Sequence, residues 1–308
     1  MEENWDVVVI GGGPAGLSAA LMLGRARRRV LVVDAGTPRN RFAPHMHGVL
    51  GHDGKPPQQL IAEGRREVES YGVVVHSGTV TGLEAAVPRF TVTIEGGERV
   101  TARRVILATG LRDEVQQIPG LADQWGTGAV MCPYCDGWEV RDSGIGIVAS
   151  GPDSVHQAQL LRQWSPRVTY FRCGTELPDE QRARLIARGI SVEESPVVEV
   201  LADAGKLTGV ALDDGRVIPL DSIFTWPTPA PLHGLLLDLG AEVADSPFGV
   251  PFVITDPFGK TTVDGVWAIG NVATVSANVP LSMGMGSFAG AAVNADLIEE
   301  EIEAALRE

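Results

Sequence analysis

Asp6-Val7-Val8-Val9-Ile10-Gly11-Gly12-Gly13-Pro14-Ala15-Gly16 is a short β-rich apolar run that enters a glycine turn, and residues 17–24 continue it as a small-residue helix. This is G-x-G-x-x-G in the strand-turn-helix setting that gives the motif its meaning. Gly11 permits the tight turn, Gly13 lets a pyrophosphate approach the backbone, and Gly16 lets the helix lie close to the strand. A second apolar run, Val30-Leu31-Val32-Val33, ends in Asp34. An acid there, roughly 20 residues past the glycines, accepts hydrogen bonds from the ribose hydroxyls of an adenosine. Pro14, Ala15 and Ala35 complete the candidate nucleotide contacts of this stretch.

Two later runs also end at glycine: Val105-Ile106-Leu107-Ala108-Thr109-Gly110 and Val266-Trp267-Ala268-Ile269-Gly270-Asn271-Val272. Ala108, Thr109, Gly110, Gly270 and Asn271 join the candidate cofactor contacts. Between the two runs lies a second unit of the same kind, with strand Gly144-Ile145-Gly146-Ile147-Val148, a turn over 149–154, a helix over 155–164 and a strand over 167–171. Its three key turn positions hold Ala149, Gly151 and Ser154, so only the middle glycine survives. Asp153 adds negative charge at the helix start, where it caps well but repels a pyrophosphate. NADPH needs Arg or Lys for its 2′-phosphate after the second strand. The stretch Phe171-Arg172-Cys173-Gly174-Thr175-Glu176 offers a single arginine. This domain is therefore expected to keep nicotinamide-domain architecture without using NAD(P)H.

Met131-Cys132-Pro133-Tyr134-Cys135-Asp136-Gly137 carries the chemistry. Thiolate is the exchanging species, and a cysteine at a helix start has its pKa pulled below the free value of roughly 8.5. A partner three residues on can close a disulfide. Asp136 is the nearest ionisable group to act as acid or base, with helix capping as its structural alternative. C-x-x-C is also half of a zinc site, but two more ligands are required and only Cys173 and scattered histidines remain, so no metal is expected. His45, His47 and His52 fall in a Pro- and Gly-containing loop, and His47 is the candidate for a second proton-transfer group. Tyr134 and Trp138, with Phe252 and Phe258, are candidate walls of a substrate pocket.

The 308 residues, 44% hydrophobic and 21% charged, suffice for two domains with separate cores. A formal net charge of −14 argues against nucleic acid and anionic membrane as partners. Met1-Glu2-Glu3-Asn4-Trp5-Asp6 lacks the basic start and apolar core of a signal peptide, and 3 cysteines exclude a structural disulfide framework. A cytoplasmic location is expected.

The order of these motifs resembles the low-molecular-weight thioredoxin reductases over essentially the whole length, with FAD segments at both ends enclosing the C-x-x-C domain. The resemblance implies an α/β fold of two Rossmann-like three-layer dinucleotide-binding domains in thioredoxin reductase architecture. It divides the chain into an FAD-binding domain, split between residues 1–113 and 231–308, and an NAD(P)-type domain over 114–230. Pro227, Pro229 and Pro231 mark the second crossing. Asn271 stands where the reductases have aspartate near the flavin ribityl chain.

A closer resemblance is to the thioredoxin-reductase-like dithiol oxidases that form the disulfides of gliotoxin, holomycin and romidepsin. It rests on Cys132-Pro133-Tyr134-Cys135, Gly137-Trp138-Glu139, His45-Met46-His47-Gly48, His52-Asp53-Gly54 and Gly270-Asn271-Val272. This branch implies bound FAD, a small-molecule dithiol as substrate, molecular oxygen as acceptor with release of hydrogen peroxide, and a homodimer. By the same analogy Cys132 is the outward sulfur, Cys135 faces the flavin, and the helix opened by Ser282-Met283-Gly284-Met285-Gly286-Ser287 aims its N-terminus at the flavin pyrimidine. A disulfide reductase fed by NAD(P)H or a protein donor is the alternative, and a non-catalytic redox-sensing flavoprotein is the third.

Overall fold

The computed structural model describes residues 4–86 and 88–307. The acidic start Met1-Glu2-Glu3 lies outside the described residues. In chain order the first elements are β1 (Asn4–Ile10), α1 (Pro14–Arg25), β2 (Val30–Asp34), α2 (Pro57–Glu69), β3 (Val74–Ser77), β4 (Val80–Ala86), β5 (Arg89–Ile94) and β6 (Arg99–Leu107). After the crossing strand β7 (Leu111–Glu114) come β8 (Ala129–Val130), α3 (Pro133–Asp136), β9 (Ile145–Val148), α4 (Asp153–Leu161), β10 (Val168–Phe171), α5 (Asp179–Ala187) and β11 (Ser191–Glu193). An antiparallel set, β12 (Val197–Asp203), β13 (Lys206–Leu212) and β14 (Val217–Pro219), precedes β15 (Ser222–Phe224) and the return strand β16 (Thr228–Pro231). The chain ends with α6 (Gly234–Asp238), β17 (Val243–Ala244), β18 (Phe252–Val253), β19 (Val266–Ala268) and the long α7 (Val279–Ala305).

Two compact units result. The first contains the chain up to Arg41, then Pro57–Arg112 and everything from Pro229 on; the second contains Phe42–Pro56 and Asp113–Thr228. The second unit thus takes in a loop, Phe42–Pro56, from the middle of a stretch that the sequence assigns entirely to the first.

In the first unit the sheet order is β3-β2-β1-β6-β5-β4, and β6 also pairs with β19. One long strand serves two neighbours because its first residues pair antiparallel with β5 (Thr91↔Thr101) and its last pair parallel with β19 (Ala268↔Leu107). Both faces are covered, as a parallel sheet requires. Val8, Ile10, Leu31, Val33, Val105 and Leu107 point to one buried cluster. Val7, Val9, Val30, Val32 and Ile106 alternate to the other, against α1 and α7. Three layers follow from that two-sided burial.

The second unit carries the parallel sheet β11-β10-β9-β15-β8. Ile145, Ile147, Val168 and Tyr170 face α4 and α5 on one side. Val148, Phe171 and Ile223 face β12–β14 residues such as Val200 and Val210 on the other. Among the described residues no helix is long and apolar enough to cross a membrane.

Glycine governs where α7 lies. A Cβ on Gly286 would stand 2.1 Å from the Ala15 carbonyl oxygen, and one on Gly290 would stand 2.7 Å from that of Ala19. The small-residue run over 282–287 therefore packs α7 onto α1. It does not open the helix, contrary to the sequence expectation: α7 begins at Val279, and Asn278 caps it by accepting the Leu281 N–H at 3.0 Å. Gly286→Ala is expected to force the helices apart and destabilise the protein by about 1–3 kcal/mol, the usual cost of overpacking. Unfolding in denaturant checks this, and an unchanged midpoint would contradict the close-packing account.

Candidate functional site

The dinucleotide turn is built by backbone contact. Gly11 adopts φ +107°, and a Cβ there would lie 2.4 Å from the Ala108 oxygen; on Gly16 it would lie 1.9 Å from the Gly11 oxygen. At Gly13, by contrast, nothing lies within 4 Å of the Cβ position. Gly13 is the N-cap of α1 and no side chain caps that end, so the first amides face open space. Anions bind well at such a helix start. Gly270 approaches the same turn, its Cβ position 3.0 Å from Ala15 Cβ. The structure thus brings Gly11–Gly16, Ala108–Gly110 and Gly270 together from three separate stretches. Thr109 adds its hydroxyl, which donates to the Leu232 carbonyl at 2.7 Å.

Asp34 lies at the end of β2, as read from the sequence. Its Oδ1 accepts from Gly12 N at 3.1 Å, and its Oδ2 pairs with Arg65 of α2. Arg65 is not visible in any motif; helix α2 brings it there, and its buried Nε has no partner. An orphaned donor beside an acid and an open helix start matches the polar end of an adenine dinucleotide. Ala35, next along, is exposed. Asn271 donates from Nδ2 to the carbonyls of Thr274, Val275 and Ala277 at 3.1, 3.0 and 2.9 Å. Its amide nitrogen is committed to that loop, which leaves Oδ1 as its acceptor. An aspartate would set a carboxylate against three carbonyl oxygens, a physical reason for the departure noted in the sequence.

In the second unit, β8, β9 and β15 end on the same carboxyl edge of a parallel sheet, where ligands bind in open α/β folds. Cys132 follows β8 and is the N-cap of the single turn α3. Gln157 of α4 fixes the approach by donating to the Met131 carbonyl at 2.7 Å. The two cysteines are unbonded. A hydrogen bond from the Cys135 thiol lowers the Cys132 pKa to about 7, with backbone N–H groups assisting and burial and the Asp136 charge opposing. The sequence attributes such a shift to a helix start; here the neighbouring thiol supplies most of it. Burial raises Asp136 to about 6, the Glu139 charge adding and His47 opposing. Asp136 closes α3 and caps no following helix.

His47 reaches this site within the Phe42–Pro56 excursion. Its Nδ1 lies 3.4 Å from Asp53 Oδ2 and its Nε2 3.3 Å from Glu139 Oε1. The sequence assigns neither carboxylate a role, because their nearness to His47 is a tertiary fact. Among the candidate pocket aromatics, Tyr134 and Trp138 are exposed, Phe252 is buried, and Phe258 packs on Phe288 at 6.4 Å. Among the described residues no group of three or more His, Cys, Asp or Glu is arranged to hold a metal ion.

The degraded turn of the second unit is closed on itself. Ser154, fully buried at the start of α4, accepts the Ser150 N–H at 3.0 Å, consuming an amide that a phosphate would use. Gln116 Nε2 holds the Ala149 carbonyl at 2.8 Å. Arg172, the arginine directly after β10, donates to the Thr175 carbonyl at 2.7 Å and to Glu194 at 3.2 Å, and Arg182 of α5 pairs with the same carboxylate.

Comparison with known proteins agrees with this architecture. The model of the pyridine nucleotide-disulphide oxidoreductase family matches residues 5–291. The solved structure of HlmI is 44% identical, covers 99% of this chain and 96% of its own, and superposes with a TM-score of 0.93. Thioredoxin reductase tcpT of Claviceps purpurea is 30% identical over 96% of this chain and 95% of its own. Thioredoxin reductase sirT of Leptosphaeria maculans is 31% identical over 94% and 93%. Such membership implies a flavin cofactor, which the open helix start and Asp34 fit. The chain belongs to the pyridine nucleotide-disulphide oxidoreductase family and is a thioredoxin-reductase-like flavin-dependent disulfide oxidoreductase.

Proposed function

We propose that the protein is an FAD-dependent dithiol oxidase that closes an intramolecular disulfide in a small-molecule dithiol and releases hydrogen peroxide. One observation carries this reading: a cysteine pair poised for exchange shares its sheet edge with a nucleotide turn closed by its own serine. Arg172, already engaged by Glu194, leaves little to attract a 2′-phosphate, which supports a cycle without NAD(P)H. Gly11, Gly13, Pro14, Ala15, Gly16, Asp34, Ala35, Ala108, Thr109, Gly110, Gly270 and Asn271 would hold the FAD.

In the cycle, a substrate thiolate attacks Cys132 Sγ of the oxidised pair, breaks the Cys132–Cys135 bond and releases Cys135 as thiolate. The second substrate thiol, deprotonated, attacks the substrate sulfur of the mixed disulfide and expels Cys132. Once Asp136 has passed a proton to the Cys135 thiolate, the Cys135 thiol donates to Cys132, and the leaving-group pKa lowered in this way speeds that expulsion. Asp136 exchanges the protons of these steps, its pKa of about 6 lying close to working pH. As Cys132 and Cys135 close their disulfide again, they give up two electrons; bound FAD would supply the two-electron acceptor for them, with oxygen, taking two protons, as the final acceptor that becomes hydrogen peroxide. A homodimer in the cytoplasm, with neither nucleic acid nor membrane as partner, accompanies this reading.

A second reading, disulfide reduction fed by NAD(P)H or a protein donor, draws on the relatives named thioredoxin reductase. An oxygen electrode separates the two. Purified holoprotein given dithiothreitol alone should consume oxygen and yield an equivalent of peroxide; strict dependence on NADPH would sink the oxidase.

Alkylation of the reduced protein by iodoacetamide should titrate Cys132 with a midpoint near 7. In Cys135→Ala the donor is gone, and the midpoint should rise above about 8.5. An unmoved midpoint would contradict the role given to Cys135.

The Asp136 carboxyl has a folded pKa of about 6, above its ordinary 3.8, so the ionised form is the one that folding penalises. That penalty is absent below the ordinary value, grows between the two and is complete above the folded one. Asp136→Asn should therefore raise Tm at pH 8 by about 2 °C or more, gain less at pH 5, and cut turnover by about a hundredfold. Equal Tm shifts at both pH values would refute the burial argument.

A further inference from the structure

The Phe42–Pro56 excursion, which carries His45-Met46-His47-Gly48 and His52-Asp53-Gly54, is firmly built. Met46 and Val49 are buried, Met46 N donates to the Lys55 carbonyl at 3.0 Å, and Gly54 N donates to the Met46 carbonyl at 2.9 Å. Gly48, Gly51 and Gly54 all take positive φ, so the chain doubles back tightly. What this turn presents is His47, with a carboxylate at each ring nitrogen. The imidazole thus meets a carboxylate at both ends and can take a hydrogen bond or proton on one nitrogen while giving one up from the other.

Resting on the dithiol-oxidation reading above, we propose that His47, bracketed by Glu139 and Asp53, carries the proton taken up at Asp136 out to solvent. Converting a dithiol to a disulfide frees two electrons and two protons. At neutral pH a flavin takes both electrons with one proton, so one proton per turnover must leave the cysteine site. Oxygen draws it back when peroxide forms.

Exposure is graded in the direction such a path needs. Asp136 is partly buried beside the thiols, the His47 side chain is 25% exposed, Glu139 42% and Asp53 68%. The groups against the imidazole are Asp53 from its own loop and Glu139 from the residues after α3, and the Asp136 carboxyl in α3 feels its charge. Asp53 is pinned by the Gly48 N–H at 2.9 Å, and that bond with His47 holds its carboxyl below the ordinary range. It stays an anion at working pH and keeps the outer end of the path negative. Glu139 raises the Asp136 pKa while His47 opposes it, so both groups lie near enough to act on the acid that takes up the proton.

The test uses holoprotein in weak buffer with a pH-indicator dye, mixed anaerobically with dithiothreitol while flavin bleaching and proton release are followed together. In the wild type the two should coincide. In His47→Ala, proton release should lag bleaching by about tenfold or more, and added imidazole should restore it. His47→Gln keeps a hydrogen-bonding side chain without a titrating one, so it should lag equally while retaining the wild-type Tm. Release that keeps pace with bleaching in both variants, or a lag that imidazole leaves untouched, would overturn the relay. Failure of dithiothreitol to bleach the wild type would instead overturn the oxidation reading on which it rests.

Discussion

Where α1 begins, backbones meet at distances no side chain would tolerate. Gly16 lies on the Gly11 carbonyl, Gly11 on that of Ala108, and Gly286 on that of Ala15. Each contact depends on a missing Cβ, and together they fix β1, α1, β6 and α7 about one point. The helix start at that point is bare, with open space in front of Gly13 and no capping side chain. Close packing and an anion-ready helix end are thus one feature, because the glycines that allow the first also uncover the second. Gly290 extends the seam one turn along α7. Length matters too: α7 spans 27 residues, and ion pairs such as Arg104 with Asp296 and Glu300 fasten its far half to β6.

The cysteine site works by opposed influences. A hydrogen bond from Cys135 favours the Cys132 thiolate, while burial and the neighbouring carboxylate disfavour it. Burial in turn disfavours the Asp136 carboxylate. With thiolate and carboxylate in conflict, a proton that leaves the thiol is welcome on the acid, and the reverse transfer is equally near balance. Values of about 7 and about 6 set the two groups within a small free-energy difference of each other. Exchange chemistry needs such balance, because a thiol must be nucleophile in one step and leaving group in another.

Features set by local chain were legible in the sequence. The glycine turn, Asp34 at the end of β2 and C-x-x-C with its acid depend on neighbours within a few residues. Features set by long-range contact were not. Ser282-Met283-Gly284-Met285-Gly286 reads like a helix start, but Asn278 takes that duty and the glycines serve α1 instead. Asn271 differs from aspartate in one atom, and only the three carbonyls around it explain why the amide belongs there. Ser154 in place of glycine announces a weakened nucleotide turn, whereas its capture of the Ser150 amide needs the folded loop. Hardest to foresee was the company of His47, which comes to Glu139 across more than ninety residues of chain in a loop that joins the second unit.

Electrons entering from sulfur, with the central domain kept to carry the cysteines, is the claim that unites these observations. Stopped-flow spectroscopy of the oxidised holoprotein without oxygen measures it most directly, by comparing the loss of flavin absorbance after mixing with dithiothreitol and with NADPH. Rapid bleaching by the dithiol and none by the nucleotide is the predicted result. Rapid bleaching by NADPH, with the dithiol inert, would contradict it.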